Sequence, residues 1–275
     1  MRRLSFLFLF FGLLVGCATR TSLASRPEAL LASLYQEGSV LVSVDAGKEP
    51  DLVLAAVGDE RLSRRISRVS LLLGQDRYPL DEHASKTILV EGDFPSIALG
   101  FVMGSMEGYE KRKGGYWQGA VYSVGLLEKN LLLVTDGSWL DEAERIRALP
   151  VAWDPLVGSV LLSPIGVYAK NPVTFFPLQA DLSEALLSSI DTVTAGCTRE
   201  NGTMTSDVSI LMDDEGKAEA LGKILRSGYV RQLRASGQAV DVAKLRTMFT
   251  LNGNLLTMRQ IELPDVDLQM LQVAF

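Results

Sequence analysis

The chain is poor in the residues that most enzymes use for chemistry. It has one histidine, His83, and two cysteines, Cys17 and Cys197, in 275 residues. Two cysteines allow at most one disulfide, and a zinc site with a single histidine would need nearly all its ligands elsewhere. The serine-hydrolase elbow G-x-S-x-G, the phosphate loop G-x-x-x-x-G-K-[ST], H-E-x-x-H, C-x-x-C and the calcium loop D-x-[DN]-x-[DN]-G are all absent from the sequence. The chain is therefore read as non-enzymatic, with no cofactor and no metal expected. His83 lies in Asp81-Glu82-His83-Ala84-Ser85, a polar stretch expected to be an exposed loop. Positive charge is also short. Lys and Arg number 27 against 33 Asp and Glu, a formal net charge of −6. An acidic balance stays soluble and argues against nucleic acid as a partner. A continuous apolar run of the ~20 residues that would cross a bilayer is missing too.

What the sequence does have begins at its first residues. Arg2 and Arg3 precede an apolar run from Phe6 to Val15, broken only by Gly12, and the run ends in Leu14-Val15-Gly16-Cys17. The run is too short to span a membrane and suits a secretory signal with a small residue before the cut. Leu14-Val15-Gly16-Cys17 resembles the lipobox of bacterial lipoproteins. The resemblance implies that residues 1–16 are removed and that the Cys17 thiol takes diacylglycerol. The freed amino group is then acylated. Each buried CH₂ contributes about 0.8 kcal/mol, so two or three acyl chains hold a protein to a bilayer durably. Ala18 stands where many such proteins of two-membraned bacteria carry an Asp that keeps them at the inner membrane, so the outer membrane is the expected location if the organism has one. With Cys17 committed to lipid, Cys197 is alone and is expected to be buried and inert.

Residues 17–27 read as a lipidated tether, since Ala18 to Arg26 is rich in Ser, Thr and Ala and shows no apolar periodicity. Extended, it reaches at most ~30 Å, so the body stays near the membrane. Pro27 opens a short helix with Leu30, Leu31 and Leu34 on one face. The remainder reads as two units, 28–150 and 151–275. A sequence echo links them: Gly38-Ser39-Val40-Leu41-Val42-Ser43 against Gly158-Ser159-Val160-Leu161-Leu162-Ser163, both expected to be strands.

In the first unit Ser39–Val44 reads as a strand. Asp51–Leu73 reads as a helix with Leu52, Ala56, Leu62, Ile66, Val69 and Leu73 near one face and Arg61, Arg64, Arg65 and Arg68 on the other. Lys86–Gly92 is a strand and Phe94 to Met106 a helix. Gly115–Leu126 and Asn130–Thr135 form an antiparallel pair, and Ser138 caps a short helix. In the second unit Asp181 caps a helix through Leu187. Thr192–Thr198 and Met204–Leu211 form a hairpin across Glu200-Asn201-Gly202. Asp213-Asp214-Glu215 starts the helix Lys217–Leu225, where acids suit a helix N-terminus better than they suggest a cation site. Thr247–Leu251 and Leu255–Ile261 form a hairpin at Asn252-Gly253, and Asp265 caps a final amphipathic turn. Hairpins without a regular βαβ rhythm give an α+β class: antiparallel sheets with helices packed on one face, in two related subdomains.

One region stands out for function. From Phe94 to Tyr109 almost no residue is polar, and Gly100, Gly104 and Gly108 recur every four residues. Such a segment is either a buried helix with a close-packed glycine edge or an interfacial helix that dips into one leaflet. Lys111, Arg112 and Lys113 follow at once, with Tyr116 and Trp117 behind them, a pairing of cations and aromatics that a headgroup layer selects. The candidate lipid-contact set is Phe94, Ile97, Phe101, Met103, Lys111, Arg112, Lys113 and Trp117. The basic face near Arg61 is a further candidate for anionic lipid.

Lipobox, short tether, acidic α+β body and amphipathic helices together resemble small envelope lipoproteins. The layout is also similar to spirochaete outer-membrane-associated lipoproteins, whose amphipathic helices enter the inner face of the outer membrane. The leading expectation is a membrane-anchored, non-enzymatic envelope protein that contacts lipid or another apolar ligand. A lipoprotein that holds an envelope partner protein, and a hydrolase with a site assembled from scattered residues, remain open at this stage.

Overall fold

A computed structural model describes residues 31, 35, 39–57, 60–74, 86–148, 158, 160–170, 182–200 and 203–263. The Cys17 anchor, the tether, His83 and the turn after Asp265 lie outside the described residues.

Among the described residues twelve strands form one antiparallel sheet. In chain order they are β1 (Ser39–Asp45), β2 (Ile66–Gly74), β3 (Lys86–Gly92), β4 (Glu110–Lys111), β5 (Tyr116–Gln118), β6 (Ser123–Glu128), β7 (Leu131–Thr135), β8 (Ile165–Lys170), β9 (Ile190–Glu200), β10 (Thr203–Met212), β11 (Phe249–Asn252) and β12 (Leu255–Leu263). Their spatial order is β11-β12-β10-β9-β8-β1-β2-β3-β7-β6-β5-β4. The boundary placed at Pro150 lies outside the described residues, and the sheet runs across it: β8 pairs with β1 from Val40↔Ala169 to Val44↔Ile165. The helices placed wholly within the described residues are α1 (Pro50–Val57), α2 (Glu60–Ser63), α3 (Ser96–Ser105), α4 (Trp139–Ala148), α5 (Glu184–Leu187), α6 (Glu215–Ala235) and α7 (Val242–Met248). The α+β class read from the hairpins is the class observed.

Strand alternation divides the core between two faces. On one face Leu41, Leu72, Leu89, Leu131 and Leu133 pack against Trp139, Ala143 and Ile146 of α4. On the other, Val44, Val69, Ile165 and Cys197 pack with Leu52 and Val53 of α1. That same face carries α3, through Met103 against Trp117 and Val124. Helices therefore flank both sides of the sheet. Near its other end Ile210, Leu256 and Met258 meet Ala218, Leu221 and Leu225 of α6 and Leu245 and Met248 of α7.

Three elements differ from the sequence reading. The helix expected over Asp51–Leu73 stops at Ser63, and Ile66–Gly74 is a strand. β2 lies between β1 and β3, and nearly every residue in it is buried. A central strand covered on both faces reads as a continuous apolar run, which a helical period also fits. Arg68 accordingly leaves the supposed basic face. It is buried, pairs across the strands with Asp45 and Glu91, and donates to Ser43 Oγ at 2.8 Å and Asp45 Oδ2 at 3.3 Å.

The second difference is the echo at Gly158. Its first copy is β1, but the second is a helical turn in which Leu162 N–H donates to Gly158 O at 3.1 Å. This turn lies on two glycines paired across β8 and β9, Gly166 and Gly196. A Cβ on Gly166 would fall 2.5 Å from Leu161 Cα. The β1 edge that a matching strand would need is filled by β8, so the like sequences are not like structures. The third difference is α7: the strand expected from Thr247 begins at Phe249, because Asp241 caps a helix by accepting from the N–H groups of Ala243 and Lys244. The helix after the acidic run starts as read, with Asp214 accepting from Lys217 N–H at 2.9 Å, and extends on to Ala235.

Candidate membrane-contact site

The sequence of α3, Ser-Ile-Ala-Leu-Gly-Phe-Val-Met-Gly-Ser, offers no polar stripe to turn toward water. A helix of this composition usually lies wholly within a core. Here it lies on the surface. Met103 is 4 % exposed and, with half-buried Leu99, covers Trp117, Val124, Leu132 and Val134. On the outer side Phe101 is 73 % exposed, Val102 50 % and Met106 45 %. One side of α3 is thus packed on the sheet, and Phe101 and Val102 on the other side are exposed. The glycines do not form a close-packed edge. A Cβ on Gly100 would come no nearer than 4.0 Å to the Trp117 ring, and one on Gly104 would meet nothing within 4 Å. Gly108 adopts φ +83°, a turn conformation that ends the segment.

The chain then returns as the ribbon β4–β5, the last two strands of the sheet. Lys111, Arg112 and Lys113 are all exposed on it. Arg112 pairs with Glu110 at 3.0 Å, and Lys111 Nζ stands 5.7 Å from the centroid of the Trp117 ring. Cation and ring at that separation attract. Tyr109 lies over Gly119, where a Cβ would sit 2.8 Å from its ring, and Val121 is exposed in the same turn between β5 and β6.

The sequence candidates thus separate by depth. Phe101 faces solvent with Lys111, Arg112 and Lys113 close behind it in the chain. Phe94, Met103 and Trp117 are buried supports beneath. Ile97 belongs to α3, and its side chain is outside the described set. Val102, Met106 and Val121 are exposed apolar residues that the sequence reading did not select. The arginines near α2 are a lesser surface: Arg64 is paired with Glu60, and exposed Leu62 and Leu54 lie nearby on α2 and α1. Asp93 N–H donates to Arg65 O at 2.9 Å, joining this corner to the start of α3.

Among the described residues no helix is long and apolar enough to cross a membrane, and no cluster of three or more His, Cys, Asp or Glu is arranged to hold a metal ion. Cys197 is buried, with its Sγ 3.5 Å from Ser206 Oγ. Burial pushes its thiol above the ordinary range, which leaves little reactive thiolate.

These features define an α+β protein built on one long antiparallel sheet, with an exposed apolar helix at one end. Known structures share that architecture. The chain is similar to TP0453 from the spirochaete Treponema pallidum. Crystal form I of TP0453 aligns with a TM-score of 0.59 at 11 % identity, covering 89 % of this chain and 95 % of that one. Crystal form IV aligns with a TM-score of 0.58 at 12 % identity, covering 88 % and 94 %. At that identity the likeness is one of fold. No family model matches the chain, and no curated protein matches it.

Proposed function

We propose that this is a lipid-anchored, non-enzymatic protein of a bacterial envelope, held by Cys17, whose body contacts the bilayer through α3. The observation that carries this reading is the exposure of Phe101 and Val102 on α3 and of Met106 at its C-cap, with Lys111, Arg112 and Lys113 exposed just beyond Glu107 and Glu110. An exposed apolar cluster rimmed by charge marks a contact site. Its chemistry matches the boundary between acyl chains and headgroups. The helix lies along the surface and enters one leaflet only. The lipobox supplies the stable attachment, and the tether keeps α3 within reach of the same membrane. Kinship of fold with a spirochaete protein agrees with the spirochaete-type resemblance of the sequence.

Vesicle flotation tests the reading. The mature chain with Cys17→Ser is mixed with vesicles of phosphatidylglycerol and phosphatidylcholine. Binding is expected, weakened by salt because surface lysines act through a screened field. Phe101→Glu is expected to abolish it. Flotation of the folded Phe101→Glu protein at the parent level would refute the contact and favour a surface that holds another protein.

A further inference from the structure

On the sheet face opposite α3, the turn carrying Val160 and Ser163 covers Gly196 of β9, and the sheet beside it forms a recess. There Thr194 and Thr198 of β9 and Thr205 and Ser209 of β10 floor a half-open polar concavity of about 540 Å³. It lies at the other end of the strand order from α3, so it stands independently of the membrane reading.

Three features make it a shaped site rather than a plain stretch of sheet. First, Gly196 in the floor carries no side chain, and a Cβ there would fall 2.8 Å from Ser163 Oγ on the wall. Second, β12 bulges. Ser206 pairs with Ile261 but Val208 with Met258, so two residues of β12, Arg259 and Gln260, stand opposite Asp207. Gln260 takes φ 53°, the left-handed region, alone among the described non-glycine residues. Asp207 Oδ1 holds it there by accepting its backbone N–H at 2.8 Å. A bulge of this kind re-aims a side chain, and Gln260 is turned to the concavity. Third, the wall is fixed. The turn carrying Val160 and Ser163 is tied to the sheet by buried Arg68, which donates to Leu161 O at 3.1 Å.

The lining selects a ligand. Among the described lining residues the one cation, Lys244, stands 3.6 Å from Glu262 and is outnumbered by Glu262 and Asp207, so the site does not favour an anion. Among the described residues no aromatic ring lines it, so hydrogen bonds rather than stacking are its source of affinity. What remains are hydroxyls that both donate and accept, the Asp207 carboxylate and the Gln260 amide. A neutral molecule with many hydroxyls fits that set. Val160 adds one aliphatic surface on the wall. An acetamido group offers a methyl for such a surface, an N–H for a carboxylate and a carbonyl for a hydroxyl. We propose that this concavity binds a neutral saccharide carrying an N-acetylated amino sugar.

The test uses N,N′-diacetylchitobiose and maltose as probes on the mature chain, with Kd measured by saturation-transfer NMR. Thr194→Val and Ser209→Ala each remove one floor hydroxyl at nearly constant shape. Diacetylchitobiose is expected to bind, maltose about tenfold more weakly, and each variant about tenfold more weakly than the parent, the effect of one lost hydrogen bond. Phe101→Glu is expected to bind diacetylchitobiose like the parent, whatever its behaviour with vesicles. Absence of saturation transfer from the protein, equal affinity for the two sugars, or unchanged binding in both hydroxyl variants would overturn the proposal.

Discussion

Phe101 and Met103 stand two residues apart on α3 and face opposite ways: Met103 is 4 % exposed against Trp117, and Phe101 is 73 % exposed to solvent. On a helix with no polar side, this pair separates what holds the element in place from what it presents.

The same acidic substitution is therefore expected to act differently at the two positions. Phe101→Glu changes a residue that is mostly exposed, and its stability is expected within about 0.5 kcal/mol of the parent, as for surface changes generally. Met103→Glu places a carboxylate without a partner between α3 and β6 and is expected to cost about 3 kcal/mol or more. Urea denaturation followed by circular dichroism measures both. Equal losses at the two positions would mean that α3 is not oriented as described.

Glycines give a second contrast. Gly104→Ala adds a Cβ where nothing lies within 4 Å. It is expected to raise stability by up to about 1 kcal/mol through helix propensity. Gly166→Ala drives a methyl to 2.5 Å from the Leu161 Cα. Backbone cannot give way as a flexible side chain would, and the loss is expected to be about 1–3 kcal/mol. Tm shifts of opposite sign check the pair. A Tm rise for Gly166→Ala would place the turn at Leu161 elsewhere.

Glu91 carries a pH signature. It is buried on β3, its Oε1 has no hydrogen-bond partner among the described residues, and its cross-strand neighbour is Arg68. Burial pushes its carboxyl above the ordinary range; Arg68 pulls the other way, and Asp45 adds to the rise. Since the folded value exceeds the unfolded one, the folded state binds the proton more tightly. The contribution is fully present below about pH 4.3, the unfolded value, and is lost as pH rises through the folded one. Glu91→Gln removes that titration. Unfolding free energy between pH 4 and pH 7 is expected to fall more, or rise less, in the parent than in the variant. Identical pH dependence in the two proteins would show that Glu91 titrates normally.

Much of the fold was legible where a local signal coincided with the final structure. Lys86–Gly92 alternates cleanly and is a strand over those residues. Asn252-Gly253 marks the β11–β12 hairpin, with Gly253 at the left-handed φ +58°. Asp214 caps α6. The reading failed where neighbours decide. Ile66–Gly74 is apolar on both sides because it runs through the middle of the sheet, a fact no short window contains. Gly158–Ser163 repeats the composition of β1 but has no vacant strand edge to join. At the candidate site the segment drew attention in the sequence because eight apolar residues and glycines, Ile97 to Gly104, precede Lys111-Arg112-Lys113. The sequence did not separate Phe101 from Met103, since a helix without a polar face has no moment to show which side turns inward. The concavity at Asp207 and Gln260 left no sequence signal, because a single-residue bulge in β12 creates it.

Direct depth measurement is the closest test of α3 as a membrane element. A nitroxide is attached at Phe101→Cys in the mature Cys17→Ser chain, where the buried Cys197 is shielded from labelling. Oxygen and a water-soluble nickel complex are then compared as relaxants, with and without phosphatidylglycerol vesicles. Vesicles are expected to raise accessibility to oxygen and lower it to nickel, the mark of a label within the acyl region. Unchanged values for both relaxants, on protein that floats with the vesicles, would place Phe101 outside the bilayer and contradict the role assigned to α3.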